Sequence, residues 1–271
     1  MRVLSAAILV ALSFANAQVP ANMPQEGLLL FADFNNGPDA VSAKGDKRLY
    51  SAASYKEQAG AQPGLGKTGV VLAAGQGRSG AALHFPKKNT QAIFFAGKGN
   101  LAPANGTISF WLRLDPETDL EPGYCDPIQF TAYSFDDSAI WVDFTKDEKP
   151  RHFRLGVFGE KKQWNPADVA ADKNPAFLNR LVVERKYPFA KDRWTNVAIT
   201  YQNLGSANGQ ASLYLNGKLV GSASKISEKF DWNPEKLALR LGVNYVGYFD
   251  DLATYDRVLT AAELERLARN Q

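Results

Sequence analysis

Residues 194–223 read WTNVAITYQNLGSANGQASLYLNGKLVGSA. From Trp194 to Tyr201 apolar and polar side chains alternate, so Val197, Ile199 and Tyr201 share one face and Asn196, Ala198 and Thr200 the other. A period of two is the signature of a half-buried strand. The alternation resumes from Gln210 to Leu215. Asn216-Gly217 then breaks it, with two residues that tolerate the positive φ a type I′ turn demands, and Lys218 to Ala223 runs back. The segment is predicted to be an antiparallel hairpin preceded by a further strand, with Trp194 in the core.

Outward from this segment the pattern recurs. Gly27–Phe34, Gly80–Phe85, Thr107–Leu114, Ser138–Phe144, His152–Phe158, Leu237–Leu241 and Val246–Tyr255 all read as strands. Each has one apolar face and one mixed face. Ile108, Phe110 and Leu112 oppose Ser109, Trp111 and Arg113; Ile140, Val142 and Phe144 oppose Trp141 and Asp143; Phe153, Leu155 and Val157 oppose His152, Arg154 and Phe158. Sheets with a single core face behave this way. Many short strands joined by Gly-, Pro- and Asn-rich turns predict an all-β fold, an antiparallel β-sandwich jelly roll. One good helix closes the chain. Thr260 and Glu263 form a capping box, and Leu259, Leu264 and Leu267 supply the docking stripe. Residues 160–192, with Trp164, Pro166, Pro175 and Pro188, follow no period and read as an irregular insertion with a helical turn near 168–172.

Composition bounds the function. Of 271 residues 45% are hydrophobic and 11% aromatic, too many for a disordered chain. One cysteine, Cys125, excludes a disulfide scaffold and a cysteine zinc cluster, and two histidines, His84 and His152, exclude a histidine-rich metal site. A net charge of +3 without a basic cluster gives no nucleic-acid footprint. Residues 1–17, MRVLSAAILVALSFANA, carry a basic start, an apolar run and an Ala-Asn-Ala cleavage site, as signal peptides do. The expectation is a secreted protein, periplasmic or at the cell surface if bacterial, with residues 18–271 as one domain. Past residue 17 no apolar run reaches the ~18 residues of a membrane span. Cys125 reads as a free structural thiol.

Several pieces resemble the LamG-like jelly-roll domains of the concanavalin A-like lectin/glucanase superfamily. They are Gly80-Ala81-Ala82-Leu83-His84-Phe85, Gly106–Leu112, Trp194–Tyr201, the hairpin Leu213–Lys218, and the closing run Tyr248-Phe249-Asp250-Asp251-Leu252-Ala253-Thr254-Tyr255-Asp256-Arg257-Val258-Leu259 through Leu264. The closing run is the most specific, and the likeness covers most of residues 27–269. Asn196 departs from it, standing where the family usually has histidine, and 118–135 and 160–192 have no counterpart. The resemblance implies a structural calcium shared by Asp33 and Asp250, an ion that needs six to eight oxygens. A plain capping role for Asp250 or Asp251 is the alternative.

Catalysis finds little support in the residues. The E-x-D-x-x-E strand of the superfamily's glucanases is absent; Asp137 and Asp143 share a face but lie six residues apart. There is no G-x-S-x-G, and Gly75–Gly80 matches G-x-G-x-x-G only on entry to a strand, where no helix terminus can hold a phosphate. Aromatic rings beside polar side chains suit a sugar. The mixed faces offer Trp111, Arg113, Trp141, Asp143, Arg154 and Tyr214, and the irregular segments Tyr124, Tyr133, Trp164 and Trp232, with Trp141 and Trp164 favoured for their polar neighbours. The expectation is therefore a secreted, non-catalytic, lectin-like module that binds an extracellular glycan. The alternatives are an adhesion or assembly module for a cell-surface protein and, third, a glycan-degrading hydrolase.

Overall fold

The computed structural model describes residues 18–146 and 148–269. The signal-peptide reading of residues 1–17 lies outside them. In chain order the strands are β1 Leu28–Ala32, β2 Ser42–Ala43, β3 Leu49–Ala52, β4 Gln62–Pro63, β5 Val71–Ala73, β6 Ala82–Phe85, β7 Ala92–Ala96, β8 Gly106–Arg113 and β9 Cys125–Thr131. They continue as β10 Ala139–Phe144, β11 Phe153–Phe158, β12 Val182–Glu184, β13 Thr195–Gln202, β14 Gln210–Leu215, β15 Lys218–Ser224, β16 Ala238–Val243 and β17 Gly247–Tyr255. Three helices join them: α1 Lys161–Trp164, α2 Pro175–Leu178 and α3 Ala261–Arg269.

The strands form two antiparallel sheets packed as a jelly-roll sandwich. One runs β15-β14-β13-β8-β17-β1-β2, with β6 on β17 and β5 on β6; the other runs β12-β11-β10-β9-β16-β7-β3-β4. The predicted turn at Asn216-Gly217 has φ of 49° and 75°, as type I′ requires. The apolar faces meet between the sheets. Ile108, Phe110, Leu112, Val197 and Ile199 from one pack with Ile128, Phe130, Ile140, Val142, Leu155 and Leu239 from the other, all fully buried. Each such side chain contributes about 1.5–3 kcal/mol on leaving water, so the alternation read in the sequence is also the main stabilising term. Asn196 is buried on the outer side of β13, where its Nδ2 donates to Ser109 Oγ and the Phe110 carbonyl of β8.

The outer faces differ. That of the nine-stranded sheet is partly covered by α3, whose Leu264 and Leu267 pack with Leu259, Phe31, Ala198, Ala253 and Tyr255. The capping box forms in both directions: Glu263 N donates to Thr260 Oγ1 at 3.3 Å, and Thr260 N donates to Glu263 Oε2 at 2.9 Å. The outer face of the eight-stranded sheet is flanked by the insertion. Residues 160–192 hold α1, a 3-10 turn at Ala171–Lys173, α2 and the edge strand β12. Strands β7 and β9 are unforeseen. In β7 (AIFFA) four of five residues are buried, and β9 (CDPIQFT) is broken by Pro127, so neither alternates.

Candidate functional site

Five of the ring and polar candidates of the sequence divide between opposite outer faces. Trp141 and Asp143 on β10 and Arg154 on β11 point away from the core of the eight-stranded sheet. Trp111 and Arg113 on β8 point away from the core of the nine-stranded sheet. One ligand cannot span both, because the core lies between them.

The first group lines a cleft of about 600 Å³, within the usual range for small-molecule sites. Register builds its floor. Asp143 pairs with Arg154 and Trp141 with Gly156 across β10 and β11. Arg154 Nε donates to Asp143 Oδ1 at 2.8 Å, and Arg154 Nη2 donates to Oδ2. Both side chains are buried, and the guanidinium lies 5.1 Å from the Tyr124 ring centre and 5.8 Å from that of Trp141. Gly156 makes room for the indole: a Cβ there would sit 2.2 Å from Trp141 Cζ2.

Trp141 is 2% exposed and its Nε1 donates to the Phe135 carbonyl at 2.6 Å. It is a wall of the cleft rather than an open platform. Phe177 of α2 stacks on Trp141 at 6.2 Å and on Phe158 at 4.6 Å, and Trp164 packs on Phe158 at 4.9 Å. Trp164 Nε1 donates to the Asp136 carbonyl at 3.1 Å. Trp164, favoured from the sequence as a ligand ring, instead ties the insertion to the sheet. The exposed rings and apolar groups at the cleft are Tyr124, Phe135 and Leu178.

Two floor residues went unread in the sequence. Asp126 and Gln129 of β9 continue the polar row, with Gln129 Nε2 donating to Asp126 Oδ2 at 2.8 Å and Arg240 Nη1 donating to Gln129 Oε1 at 2.7 Å. Burial, and then the charge of Asp143, push the Asp126 carboxyl well above the usual carboxylate range. Asp126 precedes Pro127 at the irregular junction of β9 and β10, where no alternation marks a face. Cys125 is free and buried, and burial raises its thiol, as for a structural cysteine.

On the opposite face the aromatic residues are engaged by cations. The Arg78 guanidinium lies 3.6 Å above Trp111, and Arg113 stacks over Tyr248 at 4.3 Å and Trp194 at 5.2 Å. Trp194 is half-buried in this outer stack, not in the core as expected. The next residue along, Thr195, is fully buried; Trp194 lies just before β13 and falls on the outer side.

Asp250 and Asp251 mark a bulge in β17, where β6 ends its pairing and β1 takes over. Asp251 adopts φ of 46°. Asp250 Oδ2 accepts Arg78 N at 2.7 Å and Oδ1 accepts Asp251 N at 2.8 Å, while Arg78 also pairs with Asp251. Asp33 accepts the amide and Nδ2 of Asn35. Among the described residues no cluster of three or more His, Cys, Asp or Glu could hold a metal ion. Burial and Asp251 push Asp250 up to about 8, and the neighbouring hollow is lined by Asp33 and Asp251 together with Arg78 and Arg269.

Fold and cleft together define a jelly-roll sandwich of the lectin and glucanase type. The chain belongs to the concanavalin A-like lectin/glucanases superfamily, whose Laminin_G_3 family model matches residues 87–265. No curated protein matches the sequence. Among solved structures, domain 4 of an extracellular arabinanase from Geobacillus stearothermophilus, in complex with arabinotriose, is similar with a TM-score of 0.56 and 17% identity, over 90% of this chain and 100% of that domain. The binding domain of Paraclostridial Mosquitocidal Protein 1 is similar at a TM-score of 0.54 and 17% identity, over 89% of this chain and 52% of that one. Trypanosoma rangeli sialidase is similar at 0.56 and 14%, over 94% of this chain and 35% of the enzyme. At these identities the likeness shows the fold. Among the described residues no helix is long and apolar enough to cross a membrane.

Proposed function

We propose that this chain is a secreted, non-catalytic carbohydrate-binding module that takes its ligand in the cleft over β9, β10 and β11. The observation that carries the reading is one of placement. Tyr124, Phe135 and Leu178 stand exposed around a polar floor of Asp126, Gln129, Asp143 and Arg154 that register and ion pairing have already fixed. Apolar walls with a few preset polar groups suit the C–H faces and hydroxyls of a sugar. The arabinanase domain solved with arabinotriose supports the reading by fold. A calcium ion held in part by Asp33 and Asp250 is proposed as a structural support on the other sheet, far from the ligand.

Titration of oligosaccharides into the purified protein tests the reading, with Tyr124→Ala as the reporter of place. The Tyr124 ring is 39% exposed, so its loss should leave the fold intact. The expected result is saccharide binding that weakens by about tenfold in the variant, as loss of one ring contact would give. Absence of binding across a broad glycan array overturns it.

A further inference from the structure

The charges around the cleft narrow the ligand. Its lining holds four carboxyl side chains, Asp126, Asp143, Glu148 and Asp172, and a single cation, Arg154. Arg154 is committed, since it donates to both oxygens of Asp143. Two more cations stand at the margins. Lys146 lies 5.6 Å from the Tyr124 ring centre, and Arg240 donates to Gln129 Oε1 and to the Tyr133 carbonyl from beyond the floor. An anionic group entering the cleft meets carboxyls, and the one guanidinium on its lining is already paired. A desolvated charge without a partner is costly, so such a group is disfavoured.

Asp126 offers the reverse. Its Oδ2 accepts from Gln129, while Oδ1 takes no hydrogen bond among the described residues. The residue is largely buried, and its carboxyl borders the cleft floor. An ionised carboxylate there accepts from a hydroxyl, and a protonated one both donates and accepts. Either state pairs with a sugar hydroxyl.

We infer that the cleft is a subsite for an uncharged saccharide, that Asp126 reads one of its hydroxyls, and that uronate-bearing, sialylated or sulfated glycans are rejected. The inference rests on the carbohydrate-binding reading above and adds the ligand class to it.

The test is calorimetric titration of the purified protein, at low salt, with xylohexaose, arabinohexaose and cellohexaose against hexagalacturonate and sialyllactose. Asp126→Ala, Asp126→Asn and Tyr124→Ala are titrated alongside. At least one neutral sugar should bind about tenfold or more tightly than either acid, and the gap should narrow as salt rises to about 0.5 M and shortens the Debye length. Asp126→Ala should weaken that sugar by about tenfold while Asp126→Asn, which keeps a donor and an acceptor, stays within a few-fold. Equal or tighter binding of an acid overturns the inference and leaves the carbohydrate reading standing. So does neutral binding that Asp126→Ala leaves unweakened; if Tyr124→Ala leaves it unweakened too, the placement in this cleft falls as well. If neither neutral nor acidic sugars bind, the carbohydrate reading falls, and the inference with it.

Discussion

Asp143 and Arg154 sit directly opposite each other on β10 and β11 and form a two-point ion pair that is buried from solvent. Burial raises the Asp143 carboxyl, and the guanidinium opposes that rise. The pair is a fixed part of the cleft floor before any ligand arrives. Its worth to stability is small net, because desolvating two charges offsets most of their attraction. Breaking it is different.

Arg154→Met leaves Asp143 buried without a partner. The expected loss is about 3–5 kcal/mol by chemical denaturation at neutral pH. The double variant Asp143→Leu with Arg154→Met should recover much of it, since no lone charge then remains. A double variant no more stable than Arg154→Met alone would show that the cost lies in lost packing rather than in an orphaned carboxylate.

Gly156 is a packing requirement of Trp141. A methyl group at this position would overlap the indole well inside van der Waals contact, with Cε2 at 2.4 Å and Cη2 at 2.6 Å besides Cζ2. Gly156→Ala should therefore displace the ring, cost about 1–3 kcal/mol as overpacking does, and change the tryptophan fluorescence. A variant with unaltered emission and stability would mean that the sheet yields at no cost.

The insertion is held by aromatic contacts. Phe177 touches Trp141, Phe158, Trp164 and Phe135, and this cluster is separate from the main core. Phe177→Ala should free residues 165–181 first. Limited proteolysis is expected to cut there faster than in the unaltered protein, with the sandwich itself left intact. The truncation should cost about 3–5 kcal/mol if the insertion and the sandwich unfold together, and much less globally if the insertion opens alone.

The alternation that defined β8, β10, β11 and β13 also placed Trp141, Asp143 and Arg154 on a face turned from the core. It could not say which sheet that face belonged to, and so Trp111 and Arg113 were grouped with residues on the far side of the sandwich. Sheet membership comes from pairing between distant strands, which a period along one strand does not encode. Asp126 was illegible for a different reason: Pro127 and an irregular register interrupt the pattern where it would have shown. Trp164 illustrates a third limit. Polar neighbours in sequence made it look available, while α1 turns its ring onto Phe158. The capping box was legible throughout, because its two partners lie three residues apart and need no tertiary context.

The sharpest test of the opposite face is the pH dependence set by Asp250. Its carboxyl is raised from 3.8 to about 8, first by burial and then by Asp251. A carboxyl raised on folding binds more protons in the native state than in the unfolded state between those two values. Stability from this group is therefore full below about pH 4 and falls as the pH climbs toward 8, by an amount on the order of a few kcal/mol. Melting temperature in EDTA should decline across that window. Asp250→Asn removes the titration and should flatten the decline, even though exchanging an acceptor oxygen for NH2 beside the Arg78 and Asp251 amides lowers the starting stability. Calcium, if Asp33 and Asp250 contribute to holding it, should raise the melting temperature most at the alkaline end, where Asp250 is ionised, and should do nothing for Asp250→Asn. A calcium response that survives in Asp250→Asn would move the ion elsewhere. An unaltered protein indifferent to calcium at pH 8 would leave Asp250 as a buried cap on its two amides.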